Sequence, residues 1–369
     1  MGGSTQSLQA MIESLQGAVK PIVLFMYPGI AYEVFRQQGI ECIVCPYIRL
    51  HLFPQKYTWK QRLRHPSHFR IVSLYRVENA CVKKVKEYLG DRKIDIVHSN
   101  YSSLLIGREL SVALKARHVW HIREFLEKGV HVQLRPFGGY TLLKALINRA
   151  DARIVVSEPV LAHWAFKKKN TWVIPPAVAK ASDCCYYPDK DPYILFCSYC
   201  ITKSKGAIDA IGAYGKSGLH RDGVRMSFVG NCAEEIHNEI MDIAKRHGCK
   251  DSVDFYPCQK DVKPFFAHAK AFVMGSTNEG LGRVTAEAMF YGCPVIARDS
   301  GGTRDLVKDR ETGFLFRSEE ECAALLREVC HRLPETVIDQ AQAFAVENLS
   351  MEAYGPRVMN VYNSVLNGN

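Results

Sequence analysis

The feature that most constrains this chain is an alternation. Apolar, β-branched runs recur along it, each bounded by turn or helix signals: "KPIVLFMY", "ECIVCPY", "IDIVHSN", "ARHVWHIRE", "ARIVVSE" and "TWVIPPAV". Strands that alternate with helical stretches form a parallel sheet covered on both faces. Near residue 180 the pattern breaks in "PPAVAKASDCCYYPDKDP" (Pro175–Pro192), rich in Pro, Asp and small residues, which reads as a linker. A second series follows: "YILFCSY", "RMSFVGN", "SVDFYP", "AKAFVMGS", "CPVIARD" and "TGFLF". At 369 residues the chain exceeds what one core usually serves. The expectation is an α/β protein of two doubly wound, Rossmann-like domains. The first covers residues 1–178, a linker 179–192, the second 193–346, and a helix-like close 347–369. Ligands of open α/β sheets bind beyond the carboxyl ends of the strands, so the cleft between two such domains is the expected site.

One element is missing. A doubly wound domain normally begins strand, glycine turn, helix; here "MGG" runs directly into the helix-like "STQSLQAMIESLQG". The strand expected ahead of that turn would be central in the first sheet.

Composition narrows the class. No apolar run reaches the roughly 18 residues of a membrane span, and "MGGSTQSLQA" has neither a signal-peptide pattern nor the Ser or Thr at position 6 of a myristoylation site. A cytoplasmic protein is expected. The thirteen cysteines are scattered and odd in number, which favours reduced thiols. Cys42/Cys45 and Cys197/Cys200 form Cys-x-x-Cys pairs, but with no accompanying His cluster they read as small buried residues rather than a zinc site. The net charge is +10. Much of it gathers between Lys56 and Lys93, where Tyr57, Trp59 and Phe69 interleave with the basic residues. This stretch reads either as a solvated face or as a patch for an anionic membrane surface or acidic substrate. No nucleic-acid-binding motif accompanies it, so nucleic acid is not an expected partner.

The most informative stretch is "STNEGLGRVTAEAMFYGCPVIA" (Ser276–Ala297). "AKAFVMGS" reads as a strand, "TNEGLG" as the turn at its carboxyl end, and "RVTAEAMFYG" as a helix stopping at Gly292. The helix N-terminus at Gly282 favours an anion, and the two glycines let a phosphate approach the backbone. Glu287 lies about five residues into the helix, roughly 7 Å along its axis at ~1.5 Å per residue. That suits a carboxylate accepting both ribose hydroxyls of a nucleotide whose diphosphate sits on the turn. Glu279, on the other side of the turn, is placed to hold what the diphosphate carries. A sugar nucleotide fits this order. Two glutamates eight positions apart are by themselves a weak pattern, and a glutamate early in a helix is favoured by the dipole alone.

"NEGLGRVTAEAMFYGCPVIARDSGGTRDLV…ETGFLF" resembles the signature of the retaining GT-B glycosyltransferases with the Glu-x7-Glu motif, family 4 of the usual classification. The resemblance extends over nearly the whole chain: "GGSTQSL" to the N-terminal glycine loop, "VWHIRE" to the segment with the active-site histidine, and "VIPPAV" to the stretch before the linker. "LSMEAYGPRVMNVYNSVL" resembles the last helix, which crosses back to the first domain. The resemblance implies that Glu279 contacts the transferred sugar and Glu287 the ribose. Gly280, Leu281 and Gly282 meet the diphosphate or sugar, and Lys205 of "ITKSKG" is the phosphate-binding lysine. His121 lies against the sugar near the reacting carbon, and Gly2 and Gly3 close on the donor from the first domain. Taken alone, His121 also reads as a core histidine and Lys205 as an exposed lysine. The implied activity transfers a hexose with retention from a UDP-, GDP- or ADP-sugar to a glycan or lipid-linked acceptor, with no metal and no cofactor. Surface polysaccharide biosynthesis at the inner face of the membrane is the implied setting.

The chain departs from the family where an arginine usually precedes the phosphate lysine; Tyr199 and Cys200 stand there instead. Arg283, directly after the glycine turn, is the first candidate to replace it, with Lys203 and Arg304 as others. A sugar-nucleotide epimerase of the same fold, or a non-catalytic nucleotide-sugar or partner-binding protein, are the alternatives.

Overall fold

The computed structural model describes residues 2–15, 17–47, 52–54, 71–126, 132–134 and 139–368. The chain divides into two units, one of Met1–Ile174 with Gly355–Asn369 and one of Pro175–Tyr354. The boundary near the carboxyl end falls inside the helix Met351–Asn367.

In the first unit the apolar runs become β1 (Ile22–Phe25), β2 (Glu41–Val44), β4 (Ile96–Ser99), β5 (Arg117–Ile122), β7 (Ala152–Val155) and β8 (Thr171–Val173). Two short strands, β3 (Leu52–Pro54) and β6 (Val132–Leu134), pair antiparallel apart from the rest. The parallel strands fall into two pieces: β4-β5-β7-β8 in one sheet and β1-β2 in another. Both pieces cover the same core. Ile22 and Leu24 of β1 and Val97 of β4 pack with Cys81 and Val85 of the helix Ile71–Leu89 and with Ile106 and Leu110 of the helix Ile106–Leu114. The chain enters the unit through the helix Gly3–Ser14, capped by Gly2 in an extended conformation. Gly355 of the last helix lies so close to this first helix that an added Cβ would sit 2.3 Å from the Ser14 carbonyl oxygen. Apolar burial is deepest along β5 and β7, where Trp120, Ile122, Ile154 and Val155 are fully enclosed.

The second unit holds β9 (Asp191–Ile201), β10 (Arg225–Cys232), β11 (Val253–Tyr256), β12 (Ala269–Met274), β13 (Val295–Arg298) and β14 (Phe314–Phe316). They form one parallel sheet in the order β11-β10-β9-β12-β13-β14. Phe196, Phe228, Tyr214 and Leu326 lie in a core shared by this sheet and the helices Ala207–Ser217 and Glu319–His331. The strand order reverses between β9 and β12, and in open α/β sheets the crevice at such a switch holds the ligand.

Pro175–Pro192 falls within the second unit. The stretch is stitched to the second unit: the Ala177 and Val178 carbonyls accept from Arg283, the Cys185 N–H donates to the Phe290 carbonyl, and Lys190 Nζ donates to the Ala267 and Gly292 carbonyls. Buried backbone groups need partners, and an irregular stretch finds them in its neighbours. The unit boundary accordingly falls at Ile174/Pro175 rather than at residue 178.

Of the basic stretch, Lys56, Tyr57, Trp59 and Phe69 lie outside the described residues. Within its described part, Lys83, Arg92 and Lys93 pair with Glu87, Glu41 and Asp95. Among the described residues no helix is long and apolar enough to cross a membrane, and no group of three potential metal ligands occurs. The thirteen cysteines are free, Cys45 and Cys197 buried and Cys200 exposed.

Candidate functional site

Three loops meet at the carboxyl ends of β9, β12 and β13. After β9 the chain makes a single turn over Lys203–Lys205, and Gly206 (φ +80°) starts the helix Ala207–Ser217. After β12 it runs through Gly275 to Gly282, whose left-handed backbone (φ 97°, ψ 68°) starts the helix Arg283–Phe290. The first two loops touch backbone to backbone. A Cβ on Gly206 would lie 2.3 Å from Gly275, which only glycine allows. Ser276 Oγ donates to the Ser204 carbonyl at 3.2 Å. This contact carries Lys205 to Glu279: Nζ stands 2.5 Å from Oε1, with the carboxylate mostly enclosed and the lysine more exposed.

The third loop, Ser300–Thr303, braces the turn from below. The Gly302 N–H donates to the Glu279 carbonyl at 2.8 Å, and Ser300 Oγ donates to the Thr277 carbonyl at 2.6 Å. A Cβ on Gly302 would fall 2.0 Å from the Gly280 oxygen. Leu281 is buried between the two glycines of the turn. Two threonine hydroxyls converge on Gly282: a Cβ there would lie 3.2 Å from Thr285 Oγ1 and 3.8 Å from Thr303 Oγ1. Both hydroxyls are buried without a hydrogen-bond partner among the described residues. Sequence reasoning missed these groups; the signal was the glycine pair in "DSGGT" directly after a strand.

Glu287 is buried one turn into the helix. Burial raises its carboxyl above the ordinary range, and the Arg283 guanidinium draws it back. The Arg283 side chain is held on three sides: Nε donates to Glu287 Oε1 at 2.9 Å, Nη1 to the Ala177 carbonyl at 3.1 Å and Nη2 to the Val178 carbonyl at 3.0 Å. In this arrangement Arg283 orients and neutralises Glu287. Lys203 pairs with Glu239 and Arg304 with Asp299, so both alternatives are engaged elsewhere. Tyr199 and Cys200 are exposed at the positions where the arginine was expected.

The other expected residues lie in the first unit. His121, on β5, is fully buried. Its Nδ1 receives Arg123 Nη2 and His98 Nε2, each at 3.3 Å, and His98 Nδ1 meets the Tyr362 hydroxyl at 2.8 Å. A guanidinium can only donate, so Nδ1 of His121 is the acceptor and Nε2 carries the proton. The same logic makes His98 Nε2 a donor and its Nδ1 the acceptor from Tyr362. Burial, with the positive Arg123 nearby, holds both imidazoles neutral, His98 pushed down to about 3 and His121 well below its ordinary value. His121 Nε2 is a buried donor with no partner among the described residues. Arg123 Nε donates to Asn100 Oδ1 at 2.9 Å, and Asn100 Nδ2 to the Ser4 carbonyl at 3.1 Å. That chain ties His121 to the helix that Gly2 and Gly3 open. A Cβ on either glycine would meet nothing within 4 Å.

Residues 187–350 match the family model described as Glycosyl transferases group 1. An uncharacterized glycosyltransferase of Haemophilus influenzae is 35% identical over 91 residues, covering 24% of this chain and 25% of that protein. Sulfoquinovosyl transferase SQD2 of Arabidopsis thaliana is 37% identical over 106 residues, covering 27% of this chain and 21% of that protein. The aligned stretch thus spans about a quarter or less of these relatives. Over its whole length the chain resembles Anabaena Alr3699/HepE, solved in complex with UDP, with a TM-score of 0.79 at 19% identity, covering 98% of this chain and 96% of that one. Sucrose-phosphate synthase of Thermosynechococcus elongatus matches with a TM-score of 0.68 at 18% identity, covering 96% and 98%. The fold is GT-B.

Proposed function

We propose that this GT-B chain is a metal-independent glycosyltransferase that moves a hexose, with retention, from a nucleoside-diphosphate sugar to a hydroxyl of a glycan or lipid-linked acceptor. The observation that carries the reading is the Lys205–Glu279 pair across the Gly280–Gly282 turn at the topological switch of the second sheet. The helix that opens at Gly282 offers N–H groups and a positive dipole end to a diphosphate. Lys205 adds a cation where negative charge grows as the nucleotide departs, so it stabilises the leaving group. Glu279 holds the sugar hydroxyls on one side and Glu287, fixed by Arg283, the ribose on the other. The neutral His121 supplies an N–H donor to a sugar oxygen. HepE was solved with UDP and with UDP-glucose, which favours a uridine donor. Surface polysaccharide is the proposed product class. A membrane surface rich in anionic lipid is the proposed location; sedimentation with vesicles that is indifferent to anionic lipid would remove it.

The test is nucleotide release from UDP-, GDP- and ADP-hexoses, with Glu279→Ala as control and EDTA present. Release from one donor, abolished by Glu279→Ala and indifferent to EDTA, supports the proposal. A second reading is favoured by one observation: Tyr199 and Cys200 stand where the arginine is expected, and Arg283, Lys203 and Arg304 each pair with an acidic side chain. On that reading the chain binds a sugar nucleotide without turnover, and donor binding with no nucleotide release would support it.

A further inference from the structure

One guanidinium ties together the loops that build the site. Arg298 is the last residue of β13, and its side chain is mostly enclosed. Nε donates to the Gly275 carbonyl at 3.0 Å, one residue beyond β12. Nη2 donates to the Asp209 carboxylate, in the first turn of the helix Ala207–Ser217 that follows Lys205. Nη1 donates to the Arg317 carbonyl at 3.4 Å, one residue beyond β14. The guanidinium carbon stands 5.1 Å from the centre of the Phe316 ring, a cation–π contact that steadies the fork.

The first two of these bonds bear on one junction. A Cβ on Gly275 would lie 2.8 Å from the Gly206 backbone, and this approach carries Lys205 to Glu279. Arg298 grips both sides of it: Gly275 through its carbonyl, and through Asp209 the helix that Gly206 starts. The β12–β13 pairing ends at Met274 with Ala297, so Arg298 takes over where the ladder stops. A peptide group is planar and trans, so a carbonyl fixed in direction also fixes the N–H that follows it, here that of Ser276. Donors in a rigid fork hold a carbonyl and a carboxylate in set directions; an ammonium on a flexible stem does not.

Stability alone does not account for this arrangement. Asp209 is 43% exposed, and an ion pair open to water to that extent contributes little. An arginine that served only the pair would end on the carboxylate. This one turns Nε to the main chain at the start of the segment that runs to Glu279.

We propose that Arg298 is a positioning residue of the nucleotide site, a role that rests on the Gly280–Gly282 turn receiving the diphosphate. Arg298 touches no ligand. Held by Asp209 and Phe316, it fixes the Gly275 main chain against Gly206 and thereby the place of the Lys205 ammonium beside Glu279.

The test titrates UDP, GDP and ADP calorimetrically into the wild type, Arg298→Met and Arg298→Gln, with thermal denaturation of each. Glutamine places its amide nitrogen the same number of bonds from the backbone as Nε of arginine, so it keeps a donor for Gly275 while losing the cation for Asp209. Methionine loses both. For the nucleotide that the wild type binds, Arg298→Met is expected to cost about tenfold in affinity, the worth of about one hydrogen bond, and Arg298→Gln about threefold or less. The two variants should melt at similar temperatures, since both lose the ion pair. Combining Arg298→Met with Lys205→Met should weaken binding by less than the product of the two single losses, because one residue acts through the other. Wild-type affinity in Arg298→Met, equal losses in the methionine and glutamine variants, or losses that multiply with Lys205→Met overturn the proposal. A wild type that binds none of the three nucleotides removes the diphosphate reading itself, and this role with it.

Discussion

Lys205 Nζ lies 2.5 Å from Glu279 Oε1, although 74 positions separate the two residues. The pair is partly open to solvent on the lysine side, so it contributes little to stability by itself. On the proposed reading, an anion arriving on the glycine turn finds a cation already in place, held by a carboxylate that the anion displaces.

Lys205→Met is expected to weaken donor binding. Loss of one hydrogen bond to a charged group costs about 1.5–3 kcal/mol, which is roughly 10- to 150-fold in Kd. Calorimetric titration with the nucleoside diphosphate checks it, and thermal denaturation should show little change.

Arg283→Met is expected to cost stability. Its side chain and that of Glu287 are both largely buried, and breaking such a pair costs about 3–5 kcal/mol because a charge is left unpaired. The Glu287 carboxyl, already raised by burial, should rise further. The double variant Arg283→Met/Glu287→Gln should recover much of the loss in denaturant unfolding, since no unpaired charge remains.

His98 and His121 are expected to stay neutral from pH 8 down to pH 5, seen as imidazole resonances that do not titrate. His121 should show its proton on Nε2. The sign follows from linkage: the folded-state value of His98 is depressed to about 3, so its contribution to stability is present above the unfolded value of about 6.5 and is lost as pH falls from there toward 3.

Gly302→Ala is expected to deform the turn. The added methyl falls against the Gly280 oxygen at 2.0 Å, and its nearest neighbours are backbone atoms of Gly280 and Leu281, with no flexible side chain to yield. Overpacking of this kind costs about 1–3 kcal/mol. Donor affinity and melting temperature should both drop, and Gly3→Ala, where the space is open, should change the melting temperature little.

Much of this was legible in the sequence. The apolar runs of both halves became strands, because parallel strands buried on two faces must be apolar throughout. β3 and β6 were not legible; each is a short strand that lies outside the apolar, β-branched runs. At the site, Glu279, the glycine turn and Glu287 could be ordered from spacing alone, because they share one strand–turn–helix unit. The partners of Arg283 could not, because the Ala177 and Val178 carbonyls come from a stretch whose composition resembles a linker. The approach of Lys205 to Glu279 depends on two glycines touching across loops, a contact that no local pattern encodes.

The most direct measurement is the binding of UDP, GDP and ADP, and of their glucose esters, to the wild type and to Glu279→Ala. One nucleotide series should bind the wild type. Glu279→Ala should weaken the sugar ester at least tenfold while leaving the free diphosphate bound as well or better, because Lys205 is released from its carboxylate. Failure of every series to bind, or equal weakening of ester and free diphosphate, would contradict the assignment of this turn as a sugar-nucleotide site.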